Sequence, residues 1–228
     1  MEVKLIGYTQ PVKGEFIGLD DVQDLIAYCA RVSNPANQIN KETAPKLLNY
    51  LIKHKHWSPF EMASATLEVE TTRDIARQLL RHRSFFFQEF SQRYADIRDL
   101  NDNFVIRDAR LQDTKNRQNS IEIDNNDATQ RIIAETWAEA QQEVIDLAKR
   151  TYEWALDNGI AKEQARAVLP EGNTVSRLYV NGTIRSWIHY VELRSANGTQ
   201  KEHVELAKAL AEAIIKIYPA MSDFMEKE

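Results

Sequence analysis

Cysteine is nearly absent: Cys29 is the only one in 228 residues. A lone thiol excludes an internal disulfide framework and any cysteine-rich metal site. It suits a reducing, cytoplasmic setting. Glycine is scarce too. The seven glycines, at positions 7, 14, 18, 159, 172, 182 and 198, form neither GxGxxG nor a P-loop. Any phosphate-bearing ligand must therefore be held by side chains. HExxH, CxxC and GxSxG are also missing, which removes the commonest zinc-protease, thiol-redox and serine-hydrolase signatures. No stretch approaches the ~18 apolar residues of a membrane span, and the opening MEVKLIGYTQ lacks the apolar segment of a secretory signal. Net positive charge is lacking as well. With 29 basic and 34 acidic residues the chain carries −5, a poor balance for a general nucleic-acid binder.

What is present reads as globular: 43% hydrophobic and 28% charged residues are ordinary for a packed soluble chain. Alternation at Val3 and Leu5 predicts a strand over 2–8. Val22, Leu25, Ile26 and Cys29 share a helical face within 20–33. A second helix is expected over 43–55, with Pro45 in its first turn and Ser58-Pro59 as a stop. Alternation predicts a half-buried strand over 63–70, followed by a helix over 72–82. Residues 99–127 are polar and without a period, so they read as a long loop, mobile over 107–127. A long amphipathic helix is expected over 128–158, with Ile132, Ile133, Trp137, Val144, Leu147, Ala148 and Tyr152, stopped near Gly159. A shorter helix ends at Pro170, a strand follows at 174–181, and helices are expected over 183–194 and 201–217. No repeat divides the chain. The fold class is α/β: a single mixed domain over 1–228, with long amphipathic helices and a modest sheet.

The overall acidity conceals a local reversal. Residues 71–94 carry five arginines (Arg73, Arg77, Arg81, Arg83, Arg93) against Asp74 and Glu89. Every cation between Lys55 and Lys115 is arginine, and so is every cation between Lys162 and Lys201, where Arg166, Arg177, Arg185 and Arg194 stand. A guanidinium presents a planar, two-pronged donor suited to phosphates and to the edges of planar rings. Each arginine taken alone is as well explained by an acidic partner at the core boundary. The two lysine-free blocks together favour a ligand. Gln78 and Arg81 are spaced i, i+3, so one helix face can present both. Phe85, Phe86, Phe87 and Phe90, interleaved with Gln88, Glu89, Ser91, Gln92, Arg93 and Tyr94, suit a flat heterocycle with a charged tail. At least one of Phe85–Phe87 is expected to be plain core, as is Cys29. His54 and His56 would need further ligands to hold a metal, and none is identifiable.

Arg81-His82-Arg83, then seven residues, then Ser91, resembles the signature of the flavin-dependent thymidylate synthases, with Glu89, Arg93 and Tyr94 in the matching places. His56-Trp57-Ser58-Pro59-Phe60-Glu61 is similar to that family's upstream motif. Ala165-Arg166-Ala167-Val168-Leu169-Pro170 and the 184–194 segment ending Leu193-Arg194 match its later ones. Departures fall at Phe86, Gln88 and Thr183, where the family more often has Ser, Asn and Asn, and Gly198 stands near the place of a frequent His. The resemblance implies reductive methylation of dUMP to dTMP, with methylenetetrahydrofolate as carbon donor, FAD as redox mediator and NADPH as reductant. It implies a homotetramer with FAD across subunits, and no nucleic-acid or membrane partner. It places Ser58, Arg81, His82, Arg83, Glu89, Thr183, Ile184, Arg185 and His189 at FAD. It places Gln78, Leu79, Leu80, Arg81, Glu89, Phe90, Ser91, Gln92, Arg93 and Arg166 around dUMP. Arg194 is implied at the uracil edge as the catalytic cation, with no metal and no enzyme thiol. The competing class is a non-enzymatic nucleotide or nucleic-acid binding module using the same arginine–aromatic surface.

Overall fold

The computed structural model describes residues 1–12, 19–100 and 103–224. In chain order the elements are β1 (Glu2–Tyr8), α1 (Val22–Ala30), α2 (Ala44–Lys53), β2 (Ser64–Thr72), α3 (Arg73–Leu79), β3 (Phe85–Glu89), β4 (Arg110–Gln112), β5 (Ser120–Glu122), α4 (Ala128–Asp157), α5 (Lys162–Ala165), β6 (Val175–Thr183), α6 (Ile184–Arg194) and α7 (Lys201–Ile215). The main sheet has the order β1-β2-β6-β3, with every pair antiparallel. Ala65, Leu67 and Val69 of β2, and Leu178 and Val180 of β6, are buried among Val22, Leu48, Ile188 and Leu210 of the helices. At roughly 25 cal/mol per Å² of apolar surface, this shared face is the main stabilising term. A smaller cluster, Ile97, Tyr152, Ala155 and Ala165, ties α4 to α5. Among the described residues no helix is long and apolar enough to cross a membrane.

Two strand-to-helix junctions position the motifs. β2 runs directly into α3 at Thr72-Arg73, and β6 into α6 at Thr183-Ile184. Thr72 pairs with Val175, and Ser64 with Thr183, so α3 and α6 leave opposite ends of one ladder. Thr183 caps α6, its Oγ1 accepting from the Ser186 N–H at 3.2 Å, which satisfies one orphan donor of the first turn. Beside this junction Gly182 is required for space. A β-carbon there would lie 2.3 Å from Cδ1 of Phe85 on the neighbouring strand.

The mixed fold, the N-terminal strand and all the long helices agree with the sequence. Four details differ. Ser58-Pro59 opens a 3₁₀ turn, Ser58–Glu61, instead of ending a helix. Phe85–Glu89 is a strand that splits the aromatic run, with Phe85 buried, Phe86 75% exposed and Phe87 between. The 99–127 stretch, of which 101–102 lie outside the described residues, contains the β4–β5 hairpin. Its base is pinned because Arg107 and Arg110 both reach Glu202 of α7. Finally, α4 buries Gln141, Ile145, Ala148, Tyr152 and Ala155. Ile132, Ile133, Trp137, Val144, Leu147 and Trp154 remain exposed, because the helix touches the rest of the chain along one narrow stripe.

Candidate active site

Three segments far apart in sequence meet at the first turns of α6. The Ser84 carbonyl, in the turn after Arg81-His82-Arg83, accepts from Ser186 Oγ at 3.2 Å. The Ser58–Glu61 turn is tied to α6 by an Arg185–Glu61 ion pair and by Trp57 standing edge-on to His189, 4.6 Å between centroids. Burial, reinforced by the charge of Arg185 and opposed by Glu192, lowers the His189 pKa and favours a neutral ring. The segments that carry Ser58, Thr183, Arg185 and His189 thus meet at the start of α6, and the turn that follows Arg81-His82-Arg83 reaches the same helix through Ser84. Ile184 is fully buried, so it can serve a ligand only through its backbone.

The other end of α6 carries Arg194. Its Nε–H donates to Nε2 of His82 at 3.0 Å. Burial first, then the charge of Arg194, lowers the His82 pKa to about 4, so His82 is a neutral acceptor. Gln78 is held from the same side by His203, whose Nδ1 lies 3.0 Å from Gln78 Oε1, and donates to Gln200 at 2.8 Å. Leu79 is wholly in the core. Leu80 is partly buried and packs against it.

The remaining expected residues form a second group. Glu89 accepts from Ser176 Oγ at 3.1 Å and faces Arg77 at 3.3 Å and Arg73 at 3.7 Å. Arg93 pairs with Glu163 at 3.2 Å, and Arg166 donates to the Glu163 carbonyl at 3.3 Å. Gln92 is buried with its Nε2 unpartnered among the described residues. Phe90 and Ser91 are partly buried beside it. Strand β3 separates this group from the Arg81–Arg83 turn by roughly 13 Å, four steps of about 3.3 Å. A cavity of about 500 Å³ beside Thr71, Arg107 and Glu202 adjoins the first group through Glu202, which accepts from Gln200, the partner of Gln78.

Charge pairing separates the arginines of the two lysine-free blocks. Arg73, Arg77, Arg93, Arg98, Arg107, Arg110, Arg177 and Arg185 each have a carboxylate partner. Arg81, Arg83, Arg166 and Arg194 have none among the described residues. Unpaired guanidinia, the neutral imidazole of His82 and the exposed ring of Phe86 make a donor set suited to a flavin dinucleotide and a nucleoside monophosphate. No group of three or more His, Cys, Asp or Glu among the described residues could hold a metal ion. Burial raises the Cys29 thiol above its usual range, and Cys29, on α1, belongs to none of the motifs. Sequence reasoning missed His203, Gln200 and Glu202, and it named Arg73 and Arg77 only as members of the arginine block. The first three belong to no motif, and their only signal was the i, i+3 spacing of Gln200 and His203.

Fold and site together define an α/β domain built to bind anionic nucleotides. The family model described as "Thymidylate synthase complementing protein" matches residues 16–220, and the chain belongs to the flavin-dependent thymidylate synthases. A protein of Paramecium bursaria Chlorella virus 1, named "Probable flavin-dependent thymidylate synthase", is 49% identical over 99% of both chains. A flavin-dependent thymidylate synthase of Synechocystis sp. is 46% identical over 99% of this chain and all of its own. Among solved structures, the UMP/dUMP methylase PolB of Streptomyces cacaoi, bound with 5-Br dUMP, superposes with a TM-score of 0.77 at 26% identity, covering 98% of this chain and 93% of its own.

Proposed function

We propose that the chain, in a cytoplasmic setting, converts dUMP to dTMP by reductive methylation, with methylenetetrahydrofolate as carbon donor and NADPH as reductant. Bound FAD supplies the redox chemistry, and the protein positions and polarises. Arg81 and Arg83, with the first turn of α6 and His189, hold the flavin dinucleotide. Gln78, Arg93 and Arg166 hold the nucleotide. Arg194, its Nε–H occupied by His82, turns its two terminal amino groups to the uracil edge. There a fixed cation stabilises negative charge developing on the ring. Neutral His82 orients this fork without competing for the anion.

The observation that carries the reading is that Arg81, Arg83, Arg166 and Arg194, four of the six arginines whose motif places call for an anionic ligand, have no carboxylate partner among the described residues, while Arg93 and Arg185 pair with Glu163 and Glu61. A homotetramer with flavin sites between subunits is supported by two features. The nucleotide residues fall into two groups on one chain, and α4 exposes Trp137 and Trp154 at 48% and 60%. A stripe facing only its own core would bury them. The test is a visible spectrum with FAD and dUMP titrations, followed by a dTMP assay with folate and NADPH. Flavin absorbance perturbed by dUMP, with dTMP formed, is the expected result. Colourless protein that neither binds added FAD nor forms dTMP would overturn the reading.

A further inference from the structure

His203 belongs to no motif and the chemistry above makes no use of it, yet it is 0% exposed with both ring nitrogens engaged. It forms the middle of a buried chain of hydrogen bonds whose direction is set from one end. Burial opposes ionisation of Glu202, but bonds from its own backbone N–H, Gln200 and Arg110, with the charge of Arg107, hold its carboxyl below the usual range. As a carboxylate, Glu202 only accepts. Gln200 Nε2 therefore donates to it at 2.9 Å, and Gln200 Oε1 accepts from Gln78 Nε2 at 2.8 Å. Gln78 Oε1 is left facing His203 Nδ1 at 3.0 Å and can only accept. Nδ1 thus carries the ring proton, and Nε2 accepts from Tyr190 Oη at 2.9 Å. Every amide and the imidazole have one allowed orientation, assigned by the network itself. Burial, then the charge of Arg194 and the neighbouring His82, lowers the His203 pKa to about 3. The ring therefore stays neutral, with one donor and one acceptor.

We propose that His203 is a positioning residue for nucleotide binding, its Nδ1–H locking the Gln78 amide in one orientation beside His82 and Arg194. The packing brings these groups together: the His82 ring lies 4.9 Å from that of Tyr190 and 6.4 Å from that of His203. With one lone pair given to His203 and one N–H to Gln200, Gln78 keeps one acceptor site and one N–H for the ligand. Their order is fixed before binding, so no rotamer freedom is lost on association. Without the Nδ1 donor the amide can turn over and present the two in reverse. The inference rests on the placement of Gln78 in the nucleotide site.

Three substitutions test it on the FAD-loaded protein. His203→Asn sets an amide donor near the place of Nδ1. His203→Gln reaches toward Tyr190 but gives Gln78 no donor. His203→Leu removes both contacts. The readouts are the dUMP Kd from flavin absorbance, the dUMP KM and kcat, the FAD content and the Tm. For His203→Leu and His203→Gln, Kd and KM for dUMP should rise about tenfold, equivalent to about 1.4 kcal/mol, with kcat and FAD content little changed. His203→Asn should restore most of the affinity. If Asn and Gln lose affinity alike, in step with their Tm, or if neither loses any, the positioning role is overturned. This Asn–Gln pair decides even where the leucine variant does not fold. Failure of the wild-type protein to bind dUMP would instead overturn the functional reading on which the inference stands.

Discussion

Arg194 and His82 are joined Nε to Nε2 at 3.0 Å, with the guanidinium donating to a neutral imidazole. Most arginines of the two lysine-free blocks are steadied by carboxylates, which offset their charge. Arg194 is steadied by a group that leaves its charge intact, and among the described residues its two terminal amino groups have no carboxylate partner. Orientation and full positive potential are thereby obtained together, which a carboxylate partner would not permit.

Arg194→Lys separates directed contact from simple charge. Lysine keeps the cation but loses the planar fork and the Nε–H to His82. Losing about 3–4 kcal/mol of transition-state stabilisation slows a reaction ~10²–10³-fold. The variant should retain FAD and its assembly while dTMP formation falls at least about a hundredfold. Flavin reduction by NADPH on the same preparation should fall much less. Near wild-type dTMP formation would remove Arg194 from the chemistry.

Acid should loosen this region before the rest of the chain. The folded-state pKa values of His82 and His203, about 4 and about 3, lie below the ordinary 6.5. For groups depressed in this way the unfolded chain binds protons first. Their stabilising contribution is complete above pH 6.5 and is lost as pH falls toward the folded values. Thermal melts across that window should show Tm declining, with a shallower slope for His82→Gln. A slope in His82→Gln equal to that of the wild type would exclude His82 as a source.

Gly182→Ala should destabilise without touching any ligand group. The added carbon would lie 2.3 and 2.4 Å from the Phe85 ring, which is held 4.4 Å from Trp187 and 5.7 Å from Tyr190. Overpacking of this kind costs about 1–3 kcal/mol. At about 2–4 °C per kcal/mol for a chain of this size, Tm should drop by several degrees, as calorimetry can measure. An unchanged Tm would mean that β3 yields freely.

Leu147→Glu and Trp154→Glu on α4, both exposed in the single chain, should leave the monomer folded. If that face is covered by a second copy, a buried, unpaired carboxylate there is strongly disfavoured. Light scattering should then report dissociation, with weaker FAD retention. An unaltered assembly would place the subunit contacts elsewhere.

Helix positions and the mixed fold were legible because 3.6-residue and two-residue periods survive wherever one face is buried. Val22, Leu25, Ile26 and Cys29 revealed α1 in this way. The β4–β5 hairpin was not legible: Arg110–Gln112 and Ser120–Glu122 are three residues each, too short for any period, and their anchor is charge on α7. The aromatic run hid β3 because Phe85, Phe86 and Phe87 show hydrophobicity on both faces. The arginines of the site were visible as a block, but which of them were paired depended on Glu61, Glu171 and Glu202, all distant in sequence. His203 could not be found, since a buried neutral histidine and a surface histidine are written with the same letter.

The direct passage of β6 into α6 at Thr183-Ile184, and of β2 into α3 at Thr72-Arg73, leaves no slack at either joint. Inserting one residue in β6 would invert its side-chain alternation and turn α6 by about 100° about its axis. Arg185, His189 and Arg194 would swing away from the Arg81–Arg83 turn together. Changes in chain length that preserve catalysis are therefore confined to places such as the hairpin tip between β4 and β5, and the two strands act as fixed rulers for everything that follows them.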